Sequence, residues 1–183
     1  MNTLSELLIA NIPTYEITIP STNTKTTFRP FLVKEEKILL LAQETGDNSQ
    51  ILGAIKDILE CCIDGIEDAS NLPLFDIEYL FIKLRAKSVG EVVTPSIICP
   101  HTEEKIDLVI NLQEIELQKI EDNKRKIMIN DDIAVKMRYP SLATLSRQEE
   151  LDYNNTESFY SLIVSCIDQI ITKEETINAD ELP

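Results

Sequence analysis

The spacing of apolar residues changes twice along the chain, and this change limits the fold more than any other feature. Between residues 34 and 89 the apolar side chains recur at helical intervals. One such stripe comprises Ile51, Ile55, Ile58, Leu59 and Cys62. Between residues 91 and 139 apolar and polar side chains alternate, which is typical of strands with one buried face. Helical spacing returns after residue 141, so the sequence predicts an α+β fold with helices segregated from a run of strands.

The individual elements follow from the same pattern. A β-hairpin is predicted over residues 14–31, because alternating residues flank a turn-forming segment. Helices are predicted over 34–42, 51–62 and 74–89. Four or five short strands are predicted to form an antiparallel meander over about 91–139. The C-terminal part is predicted to hold a short helix after Pro140 and an amphipathic helix from Phe159 to Ile170.

The length of 183 residues favours one domain. We expect a single α+β domain over residues 12–172, with residues 91–139 as a candidate β-ribbon sub-region. Residues 173–183 contain four acids and one lysine, and we expect them to form a frayed acidic tail.

The charge balance excludes two classes of partner. The chain has 17 basic residues against 32 acidic ones, so its net charge is −15. Phosphate contacts need clustered Lys and Arg, so neither a nucleic acid nor an anionic membrane surface is an expected partner. The acids concentrate at residues 148–183. This end is either a solvated, solubilising face or a surface that docks a basic partner.

Residues that carry out catalysis or bind metals are scarce. The chain has one histidine, His101, and lacks a glycine-rich phosphate loop. Cys99-Pro100-His101 resembles half of a zinc knuckle, but a structural zinc site needs a second pair of ligands. Cys61, Cys62 and Cys166 lie on apolar helical faces and are interpreted as core residues. We therefore expect no catalytic, cofactor or metal site.

Two short clusters are candidate docking surfaces. Lys83, Arg85 and Lys87 end a predicted helix, where they either offset the helix dipole or contact an acidic partner, which includes another copy of the chain. The run from Phe28 to Val33 holds two aromatic residues beside Arg29. It is either a strand end that enters the core or an exposed patch of the kind that dominates binding energy in interfaces.

The predicted helix from Phe159 to Ile170 also allows two interpretations. Its apolar residues fall at offsets 0, 3, 4, 7, 8 and 11, which makes one continuous stripe. Such a stripe commonly closes the core of its own domain. The alternative is that it fits the groove of a partner.

Three segments together resemble a known family. They are IPTYEITIPSTNTKTTFRPFLVKEEKILLLAQET (12–45), FDIEYLFIKLRAKSVGEVV (75–93) and INDDIAVKMRYPS (129–141). Their content and order resemble the baseplate proteins of T-even-type contractile-tailed bacteriophages, and specifically the baseplate hub subunit or hub assembly protein.

The resemblance implies a non-enzymatic protein that helps to build the hub of the baseplate and the tail through contacts with other hub or tail proteins, in the host cytoplasm and in the virion. A transient assembly chaperone absent from the mature virion is the alternative, and a hub-associated cell-wall hydrolase is a remote one. The residues that we predict as partner contacts are Arg29, Phe31, Lys34, Glu35, Lys83, Arg85 and Lys87.

Overall fold

The computed structural model describes residues 12–118, 125–146 and 156–179. These residues form two compact units. The first comprises residues 12–69 and 75–117, and the second comprises the remaining described residues. Helices and antiparallel sheets occur in both, which confirms the α+β class. The expectation of a single domain over 12–172 stays a prediction.

The first unit opens with the predicted hairpin. Strand β1 (Tyr15–Ile19) pairs antiparallel with β2 (Thr24–Phe28), and Tyr15 lies opposite Phe28. The turn requires a left-handed backbone at Asn23, whose φ is 56°. Asparagine tolerates this conformation better than most residues because its short polar side chain can bond locally.

Three helices follow, and they supply most of the core. They are α1 (Val33–Thr45), α2 (Asn48–Cys62) and α3 (Leu74–Ser88), with a short 3₁₀ turn at Ala69–Asn71. Gly46 ends α1 in the left-handed region with a φ of 67°. Among the described residues, the largest fully buried apolar side chains are Ile58, Leu59, Leu80 and Leu84, all on α2 and α3 at the predicted helical spacing.

The rest of the first unit consists of two short ribbons. Strand β3 (Val92–Val93) pairs with β6 (Ile110–Asn111), and β4 (Ser96–Ile98) pairs with β5 (Lys105–Asp107). A 3₁₀ turn at Leu112–Glu114 follows β6.

The second unit is built on a four-stranded antiparallel sheet. Its elements are β7 (Lys126–Met128), β8 (Ile133–Met137), α4 (Leu142–Ser146), α5 (Thr156–Ser165), β9 (Ile167–Thr172) and β10 (Thr176–Asn178). The strand order is β10-β9-β8-β7. Ala134, Leu142 and Cys166 are its buried apolar residues among those described.

The predicted meander is present as antiparallel strands, but they are shared among three sheets. β3 and β6 form one sheet, β4 and β5 form another, and β7 and β8 join β9 and β10. Alternation along a strand specifies its buried face but not its neighbour, so sequence alone did not assign the strands to sheets.

The C-terminal helix prediction is wrong beyond residue 165. The helix ends at Ser165, and Ile167–Thr172 forms β9, one of the two inner strands of the sheet. Three isoleucines and a threonine make this segment rich in β-branched residues, which suit a strand, and pairing to both β8 and β10 decides the outcome.

The frayed tail expected at 173–183 also needs correction. Residues 176–178 form β10, which pairs with β9 through a turn in which the Thr172 hydroxyl accepts hydrogen bonds from the backbone N–H groups of Glu174 and Glu175. Residues 180–183 lie outside the described part. In the described ranges, no helix is both long and apolar enough to span a lipid bilayer.

Candidate interaction surfaces

Arg29 and Glu35, both predicted as partner contacts, lie together inside the first unit. The Arg29 guanidinium is 3.1 Å from Glu35 Oε1 and donates to the carbonyls of Pro30 (3.1 Å) and Cys61 (3.2 Å). Glu35 is only 3% exposed, and its Oε2 accepts from the backbone N–H of Leu32 at 2.7 Å. The carboxylate therefore caps the start of α1, and Arg29 links it to the end of α2.

The electrostatics of this cluster favour the ionised carboxylate. Burial opposes ionisation of Glu35, but the Leu32 N–H, the Arg29 guanidinium and the Lys34 ammonium outweigh it and hold the pKa of the carboxyl below its ordinary value. Lys34 Nζ lies 3.3 Å from Glu35 Oε1 and is largely exposed. Lys34 is thus the member of this cluster that a partner could reach.

Phe31 is buried, and its backbone N–H donates to the hydroxyl of Ser88 at 2.9 Å. Phe28 is buried as well, and the centre of its ring lies 5.6 Å from the centre of the Tyr15 ring. The run from Phe28 to Phe31 therefore matches the interpretation of a strand end that enters the core, whereas Val33 is exposed. Whether its residues also contact a partner stays a prediction.

The basic residues near the end of α3 do not form one patch. Residues two apart on a helix point in different directions, so Arg85 lies away from Lys83 and Lys87. Lys83 Nζ donates to the carbonyls of Leu112 (3.3 Å) and Gln113 (2.6 Å). Burial lowers the pKa of Lys83, and the carboxylate of Glu116 partly opposes this.

Lys87 also makes contacts within the first unit, and Arg85 is partly shielded from solvent there. Lys87 Nζ is 2.8 Å from Glu91 Oε1 and 5.2 Å from the centre of the Tyr15 ring. Arg85 is half-buried, and its Nη1 atom has no hydrogen-bond partner in the described part of the chain. Lys83 and Lys87 thus have structural roles, and the docking role predicted for all three stays a prediction.

One buried charge was not anticipated from the sequence. Asp76, in the first turn of α3, is fully buried and accepts a hydrogen bond from the Ser21 backbone N–H at 3.0 Å and another from the Ser21 hydroxyl. Burial raises the pKa of Asp76, and the two bonds from Ser21 offset part of this effect. An acid in the first turn of a predicted helix could be recognised from the sequence as favourable for the helix dipole. Its partner Ser21 could not, because it lies 55 residues away.

The cysteine predictions hold for two residues and fail for one. Cys62 and Cys166 are buried, and burial raises the pKa of both thiols, that of Cys62 to about 11. Cys61 is exposed, so it is not a core residue. In the β4–β5 turn, the Thr102 hydroxyl and then the N–H groups of His101 and Thr102 lower the pKa of Cys99. Among the described residues, no three potential ligands group into a metal site.

An unexpected apolar surface lies on α5. Phe159, Tyr160, Ile163 and Val164 fall at offsets 0, 1, 4 and 5, so they share one side of the helix. They are between 39% and 62% exposed, and no residue of α5 is buried. Of the predicted stripe, Phe159 and Ile163 are exposed and Leu162 is half-buried, whereas Cys166 is buried. The core interpretation therefore fails for Phe159 and Ile163 and holds for Cys166, and the partner-facing alternative remains for the exposed face of α5.

The β4–β5 ribbon presents a second apolar surface. Ile97 and Ile106 lie opposite each other, and both are exposed, as is Ile98. A two-stranded ribbon is marginally stable alone, and exposed apolar pairs on it gain free energy when another surface covers them.

Comparisons with known proteins identify the family. A family model described as T4 bacteriophage base plate protein matches residues 12–183. Comparisons with curated proteins and with solved structures give no match. The match covers nearly the whole chain and includes all three segments that carried the resemblance. The chain therefore belongs to the T4 bacteriophage base plate protein family.

Proposed function

We propose that this chain is a non-enzymatic component of the baseplate hub that acts in hub and tail assembly through contacts with other baseplate proteins. Family membership supports a location in the tail of the virion. The hub role and a period in the host cytoplasm during assembly are part of the proposal.

The observation that carries the proposal is the exposed apolar face of α5. Large apolar side chains that share one exposed face are typical of protein–protein contact sites. The β4–β5 ribbon adds a second such surface in the first unit. A protein that works in a large assembly needs surfaces of this kind, because apolar area that becomes buried against a partner contributes to the free energy of association.

A non-catalytic role is supported by how the chain uses its buried carboxyls. In the described part of the chain these are Glu35 and Asp76. Glu35 caps α1 and pairs with Arg29, and Asp76 accepts two hydrogen bonds from Ser21. Both groups are engaged in holding elements together, whereas a general acid needs to reach a substrate.

Quantitative mass spectrometry of purified phage particles and of hub-containing assembly intermediates tests the proposal. A fixed ratio to a known hub component in both samples is the expected result. Presence in the intermediates with absence from the particles would instead identify a transient assembly factor. Absence from both would contradict a hub role.

A further inference from the structure

A groove of about 660 Å³ lies between α1 and α2. This size is within the range of pockets that bind ligands in proteins. Its apolar lining includes Ile38 and Leu41 from α1, and Gly53 and Ala54 from α2. Ile38 and Leu41 are three residues apart, so they share one face of α1, and both are exposed. Beside the polar side chains of Thr45 and Gln50, the groove therefore presents an apolar surface that the described part of the chain leaves uncovered.

Gly53 adds a second observation. It lies in the interior of α2, where glycine destabilises a helix relative to alanine. Apart from its chain neighbours and the backbone of α2 itself, no described atom lies within 4 Å of where a Cβ at this position would be. Packing within the described residues thus gives no reason for the absence of a side chain. A glycine here lets an external chain approach the backbone of α2 closely.

The charges at the groove are of one sign. Glu44 and Asp57 are its charged lining residues in the described part of the chain, and both are exposed. An apolar floor with a negative rim fits an amphipathic helix that carries Lys or Arg beside its apolar stripe.

A second copy of the chain is a poor occupant. Each copy carries a net charge of −15, so two acidic chains repel one another. The densest basic cluster is also committed within the first unit, because Lys83 bonds two backbone carbonyls and Lys87 pairs with Glu91.

We propose that the groove between α1 and α2 binds a basic amphipathic helix of a partner protein, with its apolar stripe against Leu41 and Gly53 and its cations beside Glu44 and Asp57. This proposal rests on the proposed function, because it specifies the chemistry of one hub partner. No part of it depends on α5 or on the β4–β5 ribbon.

The test uses a designed peptide as the probe and the full chain as the receptor. The peptide has roughly 15 residues, near the length at which isolated helices become stable. Leucines stand at positions i, i+3, i+4 and i+7, and lysines occupy the flanks. Binding is measured by fluorescence anisotropy at physiological salt. A peptide with glutamates in place of the lysines is expected to bind at least about tenfold more weakly.

Leu40 and Leu41 provide a matched pair of variants. They are neighbours on α1 and are 55% and 52% exposed, but only Leu41 lines the groove. Leu41→Asp is expected to weaken peptide binding by about tenfold, whereas Leu40→Asp, with the same change of charge, should alter it by less than about twofold. Equal affinity for both variants, whether reduced or unchanged, would overturn the proposal.

Variants at Gly53 test the same site without adding charge. Gly53→Ala is expected to raise the melting temperature and keep peptide binding, whereas Gly53→Phe should fill the groove and abolish binding while the chain remains folded by circular dichroism. Unchanged binding by Gly53→Phe would contradict the proposal.

Sedimentation equilibrium of the wild-type chain and of Leu41→Asp tests whether a second copy of the chain occupies the groove. We expect a monomer in both cases. Self-association that Leu41→Asp abolishes would assign the groove to a second copy and overturn the proposal. The particle measurement above is independent of these results, so either hypothesis can fail alone.

Discussion

The buried carboxyls of Glu35 and Asp76 make the stability of the fold depend on pH in opposite directions, because the pKa of Glu35 is lowered and that of Asp76 is raised. Burial opposes the ionisation of Glu35, but the Leu32 N–H and then the cations of Arg29 and Lys34 outweigh it and lower its pKa. Within the described ranges Asp76 faces only the neutral donors of Ser21, so burial dominates and its pKa is raised. Each residue therefore makes a separate prediction about stability.

Glu35→Ala removes both the cap of α1 and the partner of Arg29. We expect the free energy of unfolding to fall by about 2 kcal/mol, since a helix cap and a buried ion pair are lost. The loss is limited because Arg29 keeps its two carbonyl acceptors. The lowered pKa means that this contribution is full above the ordinary carboxyl pKa and is lost as pH falls through the lowered value. Urea denaturation across the acid range measures it. Glu36→Ala, on the same turn but half-exposed, is the control and should cost less than about 0.5 kcal/mol.

Asp76→Asn should change the pH dependence with the opposite sign. Between the ordinary and the raised pKa, the folded state holds a proton that the unfolded state has released, so stability falls as pH rises through this window. Asparagine retains an acceptor for the Ser21 N–H and does not titrate. We therefore expect the variant to gain stability relative to the wild type as pH rises from about 4 to about 7. Urea denaturation at both values tests this, and Asp131→Asn at an exposed turn is the control.

Sequence reasoning selected Arg29 and Glu35 as partner contacts but did not reveal that they bind each other within the first unit. The two residues are six positions apart in the sequence, so the pair could be found from sequence. Their burial could not, because it depends on the end of α2, where Arg29 contacts the Cys61 carbonyl. The contact of Ser21 with Asp76 had no local signal.

At the scale of elements, the region around α5 shows how one pattern can fit two structures. Offsets 0 to 11 from Phe159 suit a single helix, yet the chain changes to a strand after Ser165. Helix propensity and spacing are local, whereas the pairing of β9 with β8 and β10 is not. The hairpin, α2 and α3 were predictable because their apolar stripes are buried within the same unit, whereas most of the apolar residues of α1 are exposed.

Ile163→Asp tests the role of the α5 face. Because Ile163 is exposed, we expect its substitution to lower the free energy of unfolding by less than about 1 kcal/mol. Co-sedimentation with hub-containing assembly intermediates should nevertheless weaken, since a charge would enter a buried contact. Ser161→Asp, an exposed position on the same helix, is the control. A large fall in the melting temperature of Ile163→Asp alone would mean that this face is core.

At the scale of the whole molecule, the chain passes between the two units three times, after residues 69, 74 and 117. The last of these passages leads into residues outside the described part. Helix α3 begins with Leu74 of the second unit and continues with Phe75 of the first, so one helix carries residues of both. The sequence did not reveal this division, because the strands of the second unit come from segments on both sides of α4 and α5.

The single domain expected over residues 12–172 predicts one cooperative thermal transition. In differential scanning calorimetry, the calorimetric enthalpy should equal the van't Hoff enthalpy. Two resolved transitions would show that the units unfold as separate domains. Asp76→Asn, which lies in the first unit, should shift the single transition as a whole.

The central claim is that the baseplate hub needs this chain as a protein-binding component and not as an enzyme. The most direct measurement is electron microscopy and sedimentation of the tail structures made by phage that lack the chain, with the wild-type chain, Ile163→Asp or Ser161→Asp supplied in trans. We predict that complete baseplates are missing without the chain, return with the wild type and with Ser161→Asp, and do not return with Ile163→Asp. Complete, infectious baseplates in the absence of the chain would contradict the claim.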